Sequence, residues 1–79
     1  MEEDRKLRIR SLEEMIQVVL LAIPEETSAQ KLYLSAAEKA VSEESKTLFL
    51  TLAAQEKGHE AELRHLLENL KSELQSLKS

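Results

Sequence analysis

The chain has 79 residues with a single glycine and a single proline, so it holds one domain at most, and its composition is that of long helices rather than of a turn-rich β fold. The net charge of −4, with basic residues spread apart except for Arg5, Lys6, Arg8 and Arg10, argues against nucleic acid as a partner. No cysteine is present, which excludes disulfides, thiolate metal sites and thiol catalysis and leaves histidine, carboxylates and tyrosine for chemistry.

The opening "MEEDRKLRIR" has no signal-peptide pattern, and the longest apolar run, Val18 to Ile23, is far short of the roughly 20 residues that span a membrane. The expectation is a soluble, cytoplasmic protein with residues 1–10 as a charged N-terminal segment. Ser11 to Glu14 reads Ser-x-x-Glu, the form of a capping box, so the first helix is expected over residues 11–40. Its stripe is Leu12, Ile16, Val19, Ile23, Glu26, Gln30, Tyr33, Ala37 and Ala40, the alternation of four and three that marks a bundle seam. Pro24 cannot donate to the carbonyl of Leu20, which predicts either a kink or a break there. The apolar register continues through the proline and favours one kinked helix.

Ser42, followed by Glu43 and Glu44, has the form of an N-cap with an acidic first turn, and opens a second helix over residues 43–77. Its stripe is read as Leu48, Leu52, Glu56, His59, Leu63, Leu66, Leu70, Leu74 and Leu77. So short a connection predicts an all-α, antiparallel two-helix hairpin filling residues 1–79 as a single domain. A lone hairpin cannot enclose a core, and "VVLLAI" is apolar around most of the helix; a homodimer or higher homo-oligomer follows as the expectation.

Three polar residues interrupt the stripes: Glu26 on the first helix, Glu56 and His59 on the second. Buried carboxylates are paired, protonated or bound to metal. Counted from the turn, all three lie about 14 to 18 residues away, some 20 to 27 Å at about 1.5 Å of rise per residue, so they converge at one level. Glu56-x-x-His59 is weak evidence alone, because the pattern arises by chance in Glu-rich helices; its level with Glu26 makes it a candidate metal site. Di-iron carboxylate bundles use one Glu from each of two helices and a Glu-x-x-His from each of the other two, and one hairpin supplies half of that set. A two-fold dimer would supply six ligands to two metals, and oxygen and imidazole donors without thiolate suit iron or manganese, with zinc also able to bind.

The stretch Ala22 to Leu70, "AIPEETSAQKLYLSAAEKAVSEESKTLFLTLAAQEKGHEAELRHLLENL", resembles the rubrerythrin-like branch of the ferritin-like superfamily. The shared elements are Glu26 with Tyr33 seven residues on, the Leu-Phe-x-x-Leu-Ala run from Leu48 to Ala53, and Glu56-x-x-His59. With one half-bundle rather than two, the chain is similar to encapsulated ferritins, whose centre forms between subunits. The resemblance implies a ferritin-like four-helix bundle made by dimerisation, a di-iron centre, and ferroxidase-type oxidation of Fe(II) by dioxygen or peroxide. It departs from rubrerythrins proper in having no Cys-rich electron-transfer module, so peroxide reduction would need an external donor. The end "LKSELQSLKS" shows no docking peptide distinct from helix, which argues against an encapsulating shell protein as partner.

Expected roles are Glu56 as a bridging or chelating ligand, His59 as a terminal imidazole and Glu26 as a terminal or bridging carboxylate. Tyr33 is read as hydrogen-bonding a ligand or donating an electron, against a plain core tyrosine at even weight. Gln30 is read as supporting a ligand or specifying the seam, His65 as solvated, and Glu25, Glu60 and Glu62 as solvated charges, the last two lining an iron access path if they face a subunit boundary. Gly58 is left without an account beyond close approach of another helix. The competing class of function is a structural hairpin dimer in which Glu26, Glu56 and His59 form a buried polar network without redox activity.

Overall fold

The computed structural model describes the whole chain, Met1–Ser79, as two helices, α1 (Glu2–Lys39) and α2 (Glu43–Lys78), packed against each other as an antiparallel hairpin. No helix is long and apolar enough to cross a membrane.

Helix α1 begins at Glu2, not at Ser11. Glu2, Glu3 and Asp4 form an acidic first turn that suits the positive end of the helix dipole, while Ser11 sits inside the helix with its hydroxyl near the Met15 sulfur. The extra turns are held by the partner helix. Ile9 is half-buried and Leu12 buried on the seam, and Arg5 Nε donates to the Leu77 carbonyl at 2.7 Å, satisfying one of the open carbonyls at the end of α2. Lys78 pairs with Glu13 at 3.2 Å at the same end of the rod.

One helix passes through Pro24, as the unbroken apolar register favours. The proline leaves the Leu20 carbonyl without its usual donor, and Thr27 Oγ1 donates to the next carbonyl round, that of Ile23, at 3.2 Å. Packing offsets the lost bond, because Val19 and Ile23 on the adjoining turns are buried in one cluster with Leu12, Leu67 and Leu70.

The connection needs no glycine. No residue has a positive φ; Ala40 and Ser42 are extended, and Ser42 Oγ accepts from the Ser45 N–H at 3.1 Å as the expected N-cap of α2.

The buried side of α2 is offset by one position from the expected stripe over part of its length. Phe49, Ala53, Glu56, Glu60, Leu63, Leu67 and Leu70 are buried or half-buried, whereas Leu48 and Leu66 are 56% and 40% exposed. From Phe49 onward this is again four-and-three spacing, and it meshes with Tyr33, Glu26, Ile23 and Val19 on α1. Helix α2 is apolar on two adjacent faces, and reading one stripe merged them.

Candidate metal centre

Glu26 and Glu56 occupy the seam of α1 and α2 at one level, with side chains 24% and 21% exposed. His59 follows Glu56 by one turn and lies beside the seam, not inside it; its side chain is 56% exposed in the hairpin. One ligand atom from each residue falls within 4.8 Å of the others, a spread close to what donors about 2 Å from one cation require. His59 Nδ1 is 3.7 Å from Glu26 Oε2 and 3.8 Å from Glu56 Oε2, in reach for ion pairing and too long for hydrogen bonds.

The electrostatics are those of a site short of positive charge. Glu26 Oε2 is buried and accepts no hydrogen bond. The Glu26 carboxyl is held above its ordinary 4.5, first by hydrogen bonding to Glu56, then by desolvation and by repulsion from the Glu56 charge, with His59 pulling the other way. Repulsion between two carboxylates this close is relieved by a proton or by a cation between them. The buried oxygen without a hydrogen-bond partner, the raised Glu26 carboxyl and the all-oxygen-and-imidazole donor set fit a hard or borderline divalent metal.

Of the other residues singled out in the sequence, Tyr33 lies one heptad from Glu26 on the same seam with its ring against Phe49, centroids 6.5 Å apart and planes at 23°. Glu25, Glu62 and His65 are exposed, as expected. A Cβ on Gly58 would meet nothing within 4 Å, so nothing in the hairpin explains a glycine there. Glu60 departs from its reading as a solvated charge. It is half-buried in the seam, accepts from Gln30 Nε2 and pairs with Arg64 Nε at 2.9 Å. Those partners, Gln30 first, hold its carboxyl below 4.5. The missed signal was the four-and-three register starting at Phe49, which places Glu60 four residues after Glu56 on the buried side.

The family model for Rubrerythrin matches residues 17–79, most of the chain and all three residues of the cluster. The chain belongs to the rubrerythrin family. No curated protein and no solved structure matches it. Membership places this hairpin among ferritin-like, iron-binding helical proteins, and the part of the chain outside the match is residues 1–16, the start of α1.

Proposed function

We propose that two copies of this rubrerythrin-family chain form a four-helix bundle whose shared centre binds iron through Glu26, Glu56 and His59 and oxidises Fe(II) with dioxygen or peroxide. The observation that carries the reading is a buried Glu26 oxygen that accepts no hydrogen bond, on a residue with a ligand atom within 4.8 Å of one from Glu56 and one from His59, in a seam otherwise apolar on the side of Val19 and Ile23. Two copies bring four carboxylates and two imidazoles, a charge that offsets two divalent cations.

The face beside the cluster supports the second copy. In the heptad register, the positions flanking Glu26, Glu56 and Tyr33 on one side of the hairpin are Met15, Val18, Ala22, Ala29 and Leu32 of α1 with Leu48, Leu52, His59 and Leu66 of α2. Val18 and Leu32 are each 66% exposed, so the exposed imidazole of His59 stands on the surface that a partner would cover.

In this reading Fe(II) is the substrate, giving up an electron to dioxygen or peroxide. Glu26 and Glu56 bind it as carboxylates, so metal and proton compete for the raised Glu26 carboxyl. His59 offers a ring nitrogen toward the same point. Burial against the second copy excludes bulk water from the seam. These 79 residues hold no cysteine, so peroxide reduction at this site would draw its electrons from outside them.

The test is anaerobic Fe(II) titration followed by oxygen. The expected result is about two irons per dimer and oxygen consumption that Glu26→Ala and His59→Ala abolish. A metal-free dimer whose stability chelators do not change would instead establish the cluster as a structural polar network.

A further inference from the structure

The Gln30–Glu60 contact crosses the ligand level diagonally. Gln30 lies one turn beyond Glu26 toward the hairpin connection, and Glu60 lies one turn beyond Glu56 away from it, so the bond between them spans the Glu26–Glu56 layer. Both Glu60 oxygens are engaged: Oε1 accepts from Gln30 Nε2, and Oε2 accepts from Arg64 Nε at 2.9 Å. Arg64 is one turn further along the same helix, which fixes the rotamer of Glu60 from behind. In the heptad register Gln30 and Glu60 sit on the side of the seam away from His59, so they brace the ligand layer without occupying its open face.

A brace has work to do at this level. Apolar contact is non-directional, so leucine and alanine layers do not by themselves fix the axial level of one helix against the other. A slide of one residue, about 1.5 Å, that carries Gln30 toward the connection would stretch its bond to a carboxylate held in place by Arg64, and the opposite slide would compress it.

We propose that Glu60 is a positioning residue, the fixed end of an Arg64–Glu60–Gln30 strut that sets the level of Glu26 on α1 against Glu56 and His59 on α2 and so the geometry offered to the metal. The proposal rests on the assignment of the three ligands above, and Glu60 lies outside their cluster. It acts only through the relative level of the two helices.

Co(II) alone, added anaerobically to the full-length protein, reads that geometry through its visible absorption, whose energies and intensities follow coordination number and symmetry. Glu60→Ala is expected to keep helix content and oligomer mass, to weaken Co(II) binding by about tenfold or more, the usual effect of removing a group that holds a ligand in place, and to shift the absorption of what binds. Glu60→Gln, which keeps an acceptor for Gln30, is expected to restore the wild-type spectrum and most of the affinity. Gln30→Ala cuts the strut at its other end, should shift the spectrum in the same direction, and decides the matter should Glu60→Ala fail to fold. A folded Glu60→Ala or Gln30→Ala with unchanged affinity and spectrum overturns the strut, as does a lowered melting temperature with an unaltered spectrum. Glu26→Ala separates the two ideas: retained Co(II) binding there removes the site itself, whereas lost binding there beside an unaffected Glu60→Ala removes only the positioning role.

Discussion

Glu26 is costly to the metal-free protein in the same way that it is useful to a metal site. Its carboxyl is raised above 4.5 chiefly because it shares hydrogen bonding with Glu56 and is desolvated beside it. A raised folded-state value means that the folded hairpin holds this proton more tightly than the unfolded chain, so the stability it contributes is complete below about 4.5 and is lost as pH rises through the raised value. Glu60 has the opposite sign: its carboxyl is lowered by Gln30 and Arg64, and its contribution is present above 4.5 and lost as pH falls through the lowered value. Glu26→Gln imitates the protonated state at every pH. In the absence of metal it should therefore melt with the wild type in acid and a few degrees above it at neutral pH, the gap opening as pH passes the Glu26 titration. With Mn(II) or Fe(II) present the order should reverse, because only the wild type gains stability by binding. Thermal melts of both proteins across that range, with and without metal, check the sign directly; a gap independent of pH would remove Glu26 as its source.

At the scale of the helices, local signals and packing disagree in instructive places. The Ser42 cap, the short turn and the α1 seam from Leu12 to Ala40 were readable because each depends on residues close in sequence. Ser11 looks like a helix start for the same local reason and is not one, since α1 continues upstream through half-buried Ile9 to Arg5, whose partner Leu77 lies at the far end of the chain. Glu60 was legible only by choosing between two interleaved apolar stripes on α2, and a single chain gives no reason to choose until α1 is placed beside it. His59 was expected inside the stripe and lies at its rim, which changes its meaning: it belongs to the adjacent face as much as to the hairpin seam. Pro24 is the remaining conflict, an exposed proline inside a continuous helix two residues before Glu26. Replacing it with alanine restores a donor to the Leu20 carbonyl and should stabilise the protein by about 1 to 3 kcal/mol, measured by urea denaturation of the metal-free form. No gain in stability would mean that the Leu20 carbonyl already has another donor.

The whole molecule is a rod of 61 × 14 × 14 Å with a radius of gyration of 18.0 Å, against about 12 Å for a compact domain of this length. Only seven of its 79 residues are buried, all of them hydrophobic, which is too little core for a hairpin to stand alone. Two sides of the rod carry exposed leucines, and the metal reading distinguishes them. One side holds Val18, Leu32, Leu48 and Leu66 around His59; the other is a groove lined by Gln30, Leu34, Leu50, Ala53, Ala54 and Lys57 behind the strut. If the second copy completes the centre, a carboxylate placed on the first side must be buried unpaired near an already acidic cluster, whereas the same change in the groove leaves the centre intact. Leu32→Asp should therefore weaken the dimer by about a hundredfold, the equivalent of roughly 3 kcal/mol, and abolish iron uptake at concentrations where the wild type is loaded. Leu34→Asp should still take up iron. Sedimentation velocity with parallel metal analysis on the two variants decides the matter, and a Leu32→Asp protein that stays dimeric and binds iron would place the subunit interface on the groove instead.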